Sequence, residues 1–399
     1  MNNHKYPDAV AQKTIDNIVD PWGELDTGME SREKIWSKNR TFLGDVWFRF
    51  RSKPTSIIGA CLILLVLLFA LAGPNFTRFS YKQQDLNYVN LPPTLNTVAY
   101  KDSYYYITAN LKLIEVSPNG ELLGCPAKIS GDNAAKRVVF DYNGQELVMD
   151  YSGTPYTLLD QSGQPIRDFR KMHNRTYLLG SDALGRDMLA RLMFGARVSL
   201  LVAVIAALTN LIIGVLYGSI SAYAGGNVDS VMMRIVDIIN TLPLTLYVIL
   251  LSVLIEGKGL LSIILALGTV YWVNMSRVVR GEILSLKERD FVLAARTLGS
   301  STGMILGRHL IPNAMGPILV TMTMLIPSAI FMEAFLSFIG LGLAAPLASL
   351  GTMCSDALAT LRTSPYQLFE PALLICILMF GFNFVGDGLR DALDPKLKK

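Results

Sequence analysis

The residues best placed to act on another molecule lie in DFVLAARTLGSSTGMILGRHLIPN, from Asp290 to Asn313. This stretch is polar and basic, and it interrupts two long apolar segments. Its pattern predicts two short helices joined at a glycine. Asp290 is placed to cap the first, and Gly299 to end it, since glycine adopts the left-handed conformation at a helix C-terminus without penalty. Ala294 and Ala295 leave the first helix nearly bare, so that another backbone could approach closely. Pro312 is expected to stop the second helix and Asn313 to cap the next. A helix of this shape on the inner side of a membrane protein suits docking into a groove on a partner. That is mechanical chemistry, not covalent chemistry.

Covalent chemistry has little to stand on. Gly257-Lys258-Gly259 is followed by Leu260 and has no upstream glycine at the spacing of a phosphate-binding loop. His4, His173 and His309 are too scattered to form a ligand set, so no metal is expected. Of Cys61, Cys125, Cys354 and Cys376, only Cys125 lies in the long polar segment, which packing must therefore hold without an internal disulfide. No nucleophile, base and oxyanion donors are arranged together. The chain is expected not to be an enzyme and to hold no cofactor of its own.

A second set of polar residues stands inside apolar runs, where they are costly in lipid and so mark pathways or gates. Asn210, Asn240, Glu333 and Asn383 are the candidates for a substrate pathway or gate, with Asp387 beside them. Glu333 is expected to bond to neighbouring helices, or to the glycine-rich turn after it, and to hold a gate. Asp237 and Asp387 are expected to pair with Arg234 and Arg390.

The elements that must position these groups are membrane helices. Of 399 residues, 51% are hydrophobic and 17% charged, and the net charge is only +4. With a mean hydropathy of +0.37, this is a polytopic membrane protein and not a soluble domain. Nothing resembles a nucleic-acid stripe. Runs at 55–72, 199–223, 230–255, 260–279, 316–339 and 371–389 are long enough, or nearly so, to cross a hydrocarbon core of roughly 30 Å. Lys38, Arg40, Arg49, Arg51 and Lys53 precede the first; Arg277 lies at the end of the fourth, and Arg280, Lys287, Arg289, Arg296 and Arg308 come after it; Arg390, Lys396, Lys398 and Lys399 come after the last. The positive-inside rule then puts both termini and the 290–313 stretch in the cytoplasm.

The expected order is a cytoplasmic segment 1–54, helix one at 55–74 and an extracytoplasmic region 75–177. Then come the helical core 178–389, with its cytoplasmic loop 283–315, and a tail 390–399. Residues 1–31 are polar and read as loosely ordered. In WSKNRTFLGDVWFRF, residues 36–50, aromatic and basic residues alternate, which suits a helix lying in the interface with Trp47 and Phe50 in lipid. Between helices one and two the texture turns to β. RVVFDY-NG-QELVMDY is a strong two-residue hairpin signal, and a small antiparallel domain is expected at about 96–175.

The 290–313 stretch resembles the EAA loop of ATP-binding-cassette (ABC) importer permeases, through Ala294, Ala295, Gly299 and Pro312. Its Arg308-His309-Leu310-Ile311-Pro312-Asn313 ending resembles the peptide-transporter branch. One departure is Leu293, which occupies the motif's acidic position and puts an ionic contact there in doubt. YVNLPPTL at 88–95 and LLGSDALGRDMLARLMFGARVS at 178–199 resemble the family's lead-in and its signature before helix two. In this chain Ser181 and Ala190 replace the usual Thr and Ser. The β region lies between these two pieces and reads as an accessory insert. AYAGGNVDSVMMRIVDIINTLP, FLSFIGLGLAAP and GDGLRDALDPKLK are similar to further family segments, in the family's order.

The resemblance is closest to the C-type permease subunit of oligopeptide and dipeptide importers. It implies an all-α type I permease fold of six transmembrane helices in the bacterial plasma membrane, here with a β-rich extracytoplasmic insert. It implies a sister permease, an extracytoplasmic peptide-binding lipoprotein and two ATPase subunits, which bind ATP and Mg. Asp290, Phe291, Ala294, Ala295, Gly299, Arg308, His309 and Pro312 would couple this chain to those ATPases. Nickel, glutathione and oligosaccharide importers share the motifs. A channel or secondary transporter would show intramembrane charge pairs, a filter or an internal repeat, and none is evident.

Overall fold

The computed structural model describes residues 41–393, except 102, 143–144, 161, 255–259 and 344. The N-terminal segment read as loosely ordered, the start of the interfacial stretch, Lys258 and the tail lysines lie outside the described residues. Contacts divide the chain within its first helix, into Met1–Asp45 and the unit Val46–Lys399, which holds every later element.

Helix α1, Phe42–Ser52, carries Arg49 and Arg51 in its last turn. Trp47 is 64% exposed and its ring stacks on Phe50 at 6.0 Å. Pro54, whose φ suits a first helical position, opens α2, Pro54–Ala72. Helix α3 runs Met188–Ala224, with Asp187 as its N-cap accepting from the amide of Ala190. At 37 residues it is about 55 Å long, well beyond the 25 or so residues expected. The signature segment thus enters this helix, its residues 188–199 forming the first turns.

The apolar run at 230–255 is not one straight span. It divides into α4, Gly226–Thr241, and α5, Leu244–Leu254. The two are bent by 92°. The break falls at Leu242, the residue before Pro243, which proline pushes out of helical geometry. Helix α6, Leu260–Leu286, packs along α3. Gly214 and Gly218 of α3 face it. A Cβ on Gly214 would meet Met275 at 2.5 Å, so the small residues let these two helices of one chain approach closely.

After the surface helix α7, Asp290–Thr297, the chain stays helical from Thr302 to Leu341. A turn at Thr302–Met304 passes into π-helix over Ile305–Leu310 and then into α8, Ile311–Leu336. The expectation that Pro312 stops a helix is therefore corrected. The wider π turn precedes it, and Pro312 takes the first-turn position of α8, where its missing N–H is tolerated. Asn313 does not cap: its side-chain amide donates to the carbonyl of His309 at 2.6 Å, within the helix. Helices α9, Leu350–Ala357, and α10, Tyr366–Leu393, complete the core. Among the described residues four helices are long and apolar enough to cross a membrane, or five if the bent α4–α5 pair is one span.

The β region is a two-sheet structure. β1 (Thr94–Tyr100), β2 (Ser103–Ile107), β3 (Leu113–Val116), β4 (Leu122–Gly124) and β9 (Phe169–His173) form one sheet, in the order β4-β3-β2-β1-β9. β5 (Ala127–Asp132), β6 (Arg137–Tyr142), β7 (Gln145–Asp150) and β8 (Thr157–Leu159) form the other, in sequence order. Tyr142 pairs with Gln145, the register of the two-residue hairpin read in the sequence. Val98, Tyr105 and Leu113 of the first sheet bury against Val138, Phe140, Leu147, Met149 and Leu158 of the second. Its other face, with Leu95, Ile114 and Val116, packs on Leu91 and Tyr177. Cys125 packs against that second cluster, and burial pushes its thiol pKa up.

Candidate functional site

The sequence drew attention to three places, and the structure resolves each differently. At the end of α3 far from the β region lies α7. Its N-cap is Arg289, with no side-chain cap, so Asp290 is the first helical residue and not the capping one. As an acid in the first turn it still favours the positive end of the helix. Gly299 adopts φ +77°, the left-handed conformation that ends this helix as expected.

Which face looks outward differs from expectation. Ala295 is only 7% exposed and packs with Val292, Ile305, Leu310 and Ala314 in the chain's own core. Ala294 is exposed. The surface available to a partner is apolar: Phe291 and Leu293 are exposed, and Leu298 is 86% exposed. Spacing could have found this, since Val292 and Ala295 are three apart and share one helix face. On the π turn Arg308 is exposed and His309 half-buried. Arg296 lies over the ring of Tyr223 at 5.3 Å, and Lys287 donates to the carbonyl of Ala222 at 3.1 Å, pinning the element to the end of α3.

Glu333 on α8 is 1% exposed and held by hydroxyls. Ser199 donates to Oε2 at 2.9 Å and Ser337 to Oε1 at 2.9 Å. Ser199 Oγ in turn accepts from the amide of Leu350 at 3.2 Å. The carboxyl thus joins α3, α8 and the start of α9, just before the kink where Gly340 takes φ +83°. The Glu333 side chain is closed off from solvent. Asn210 is buried too, and neither its amide oxygen nor its nitrogen has a partner among the described residues. Asn383 and Asp387 are exposed on α10. Asp237 pairs with Arg277 on α6 at 2.7 Å and not with Arg234, because α4 lies against α6 where Arg277 can reach it.

Asn240 does line a cavity. About 390 Å³ opens between the end of α4 and the middles of α6 and α8, bordered by Asn240, Tyr271, Asn274, Leu325 and Ser328. The Tyr271 hydroxyl donates to the carbonyl of Ser328 at 3.2 Å. Asn240, Asn274 and Ser328 are exposed at the surface of the chain. Asn274 and Ser328 lie near the middles of their helices, where exposed polar groups are costly against hydrocarbon. The sequence signal for Asn274 was present, an amide inside TVYWVNMS, but Tyr271 and Ser328 could be joined to it only by the packing.

A charged cluster that sequence reasoning missed sits where the β region meets the helices. Arg191, 2% exposed, contacts Asp182 at 2.5 Å and Asp356 at 2.9 Å, and Arg186 contacts Asp182 at 2.6 Å. Such a buried pair fixes geometry more than it stabilises. Nearby, the Tyr366 hydroxyl reaches the carbonyls of Leu91 at 2.8 Å and Ser181 at 2.9 Å. Gln367 donates to Asn90 Oδ1 and to the Ser181 carbonyl, each at 2.9 Å. Gly185, at φ +70°, lies so close to the backbone of Asp85 that any Cβ would clash. The lead-in, the signature turn and α10 are thus one locked junction.

Long apolar helices with a cavity between them and a surface helix at one end are the architecture of a multi-pass membrane protein. Two family profiles match: the binding-protein-dependent transport system inner membrane component over residues 214–399, and the N-terminal transmembrane domain of oligopeptide transport permease C over residues 41–93. The oligopeptide transport system permease protein OppC of Bacillus subtilis (strain 168) is 40% identical over 367 residues, 92% of this chain and 94% of the relative. The dipeptide transport system permease protein DppC of Lactococcus lactis subsp. cremoris (strain MG1363) is 38% identical over 92% of this chain and 95% of its own length. The chain belongs to this family of inner-membrane permease components. The B. subtilis DppC protein is 51% identical over a shorter reach, 55% of this chain and 69% of its own. A solved structure of the MetNI methionine ABC transporter, inward facing, overlaps 52% of this chain and 98% of its own with TM-score 0.45 and 19% identity.

Proposed function

We propose that this chain is one of two non-identical permease subunits of an ATP-driven importer that carries peptides across the bacterial plasma membrane. The observation that carries this reading is the 40% identity, across 92% of the chain, to a protein named as an oligopeptide permease. The six spans would be α2, α3, the bent α4–α5 pair, α6, α8 and α10. Both termini and α7 would lie in the cytoplasm, where the lysines and arginines cluster.

The mechanism grows out of the geometry. The ATPase subunits, which bind ATP and Mg, would seat α7 in a groove against Phe291, Leu293 and Leu298. Their closure would be passed to α3 through Arg296 and Lys287, and to α8 through the buried Ala295 contact. Packed helices move as bodies, so a shift at α7 would alternate access to the pathway face at Asn240, Asn274 and Ser328. That face would border the sister permease. Glu333 and its serines would keep α3, α8 and α9 moving together. A peptide-binding lipoprotein would deliver substrate at the end that carries the β region.

The test is growth. A strain deleted for this gene should fail to use short peptides as its sole source of a required amino acid, and the intact gene should restore growth. Normal growth of the deletion strain on peptides, with no other peptide importer present, would refute the assignment.

A further inference from the structure

Beside the free edge of the first sheet lies an open cleft of about 630 Å³. Val98, Ile107, Pro155, Tyr156 and Phe169 give it apolar walls, and Lys171 stands at its rim. β9 ends its sheet, and among the described residues no strand lies beyond it. Antiparallel partners alternate between exchanging backbone bonds and not exchanging them. The amide of Ala99 donates to the carbonyl of Asp168 at 2.9 Å, while Val98 stands opposite Phe169 and Asn96 opposite Lys171. Phe169, Lys171 and His173 therefore hold the positions whose backbone groups turn away from β1, towards the open edge. The amide of Phe169 bonds locally to the carbonyl of Arg167 at 3.1 Å. The carbonyl of His173 is covered by Gly120, on which a Cβ would sit 2.1 Å from it, so Lys171 and the carbonyl of Phe169 remain to pair an added strand.

The edge is also mainly basic. Over residues 167–175 the basic Arg167, Arg170, Lys171, His173 and Arg175 outnumber a single acid, Asp168. Asp168 lies 3.6 Å from Arg170, which also rests over the ring of Tyr104 at 5.7 Å. Arg167, Lys171 and Arg175 are exposed. Basic residues often blunt an edge strand against aggregation. Blunting, however, gains nothing from an apolar cleft beside the strand or from a Phe169 left 47% exposed.

We infer that β9 and this cleft dock an extended acidic segment of the external solute-binding partner. The segment adds as a short strand along Phe169 and Lys171, sets an apolar side chain against Phe169 and Tyr156, and offers carboxylates to Arg167 and Lys171. This rests on the permease reading above.

The experiment titrates the purified solute-binding protein of the same transporter onto the complete four-subunit complex in nanodiscs. Arg167→Glu combined with Lys171→Glu should raise its Kd at least tenfold and flatten its salt dependence, and Phe169→Ser should weaken it as well. Basal ATP hydrolysis should stay within twofold of wild type, which keeps a failed interaction distinct from a failed permease. Should the double variant lower basal hydrolysis, Lys171→Met removes one charge without reversing it and must still weaken binding severalfold. Unchanged affinity in these variants overturns the inference and leaves the permease reading intact. A short acidic peptide that fills the cleft without displacing the binding protein overturns it in favour of a small-ligand site. A wild-type complex that does not bind the protein overturns both.

Discussion

Ser199 on α3 donates a 2.9 Å hydrogen bond to Glu333 on α8, although 134 positions separate them in the chain. The bond turns two membrane helices and the loop before α9 into one body. Ser199→Ala would leave a carboxylate oxygen and the amide of Leu350 short of a partner, at a cost of about 1–3 kcal/mol. Thermal unfolding of the detergent-solubilised complex should therefore shift down for Ser199→Ala and for Glu333→Leu. Glu333→Gln keeps an acceptor and should shift least. Equal behaviour of all three variants would show that the carboxyl ties nothing together.

The coupling helix separates into two kinds of residue. Leu298→Asp alters an exposed contact, so the chain should insert and unfold normally yet lose co-purification with the ATPase subunits. Ala295→Asp places a charge in the buried contact with Ile305 and Ala314 and should lower stability itself, by about 3 kcal/mol or more. Co-purification and melting temperature, measured together, distinguish the two. A Leu298→Asp variant that keeps its ATPases would remove α7 from the coupling path.

Much of this was legible in the sequence, for reasons that can be named. Asn143-Gly144 between two β-rich runs fixed the β6–β7 register, because few two-residue loops satisfy the twist of a hairpin. Gly299 was legible because its left-handed conformation is nearly a glycine monopoly. The bend before Pro243 was harder to see, since 230–255 is apolar on both sides of it. Pro312 misled because the chain could widen into a π turn and continue. The partners of Arg191, Asp182 and Asp356, are brought together only by tertiary packing, and no local pattern announces them.

The polar cavity makes a further prediction. Asn274→Leu and Asn240→Leu should leave the stability of the chain near wild type, because neither side chain is buried within it. Peptide uptake should fall severalfold, since a pathway wall would lose the amides that replace water around the peptide. Uptake assays with labelled peptides of two lengths would check this. Unimpaired uptake would place the pathway elsewhere.

The β region should be separable from transport machinery. Thr94 and His173 are paired across neighbouring strands, so the insert begins and ends at nearly the same point. Replacing 95–172 with a short Gly/Ser linker should preserve assembly with the ATPases and basal hydrolysis, and diminish stimulation by the binding protein. Failure to assemble would make the region a structural staple of the complex instead.

The central claim is ATP-driven import through this chain, and reconstitution tests it most directly. The complete complex, with its binding protein outside, is placed in proteoliposomes that contain ATP and Mg, and entry of a labelled peptide is monitored. Uptake should require internal ATP, should cease when the ATPase subunits are omitted, and should be lost in Leu298→Asp. Peptide entry that continues without ATP or without the ATPase subunits would contradict the account and identify the chain as a passive pore.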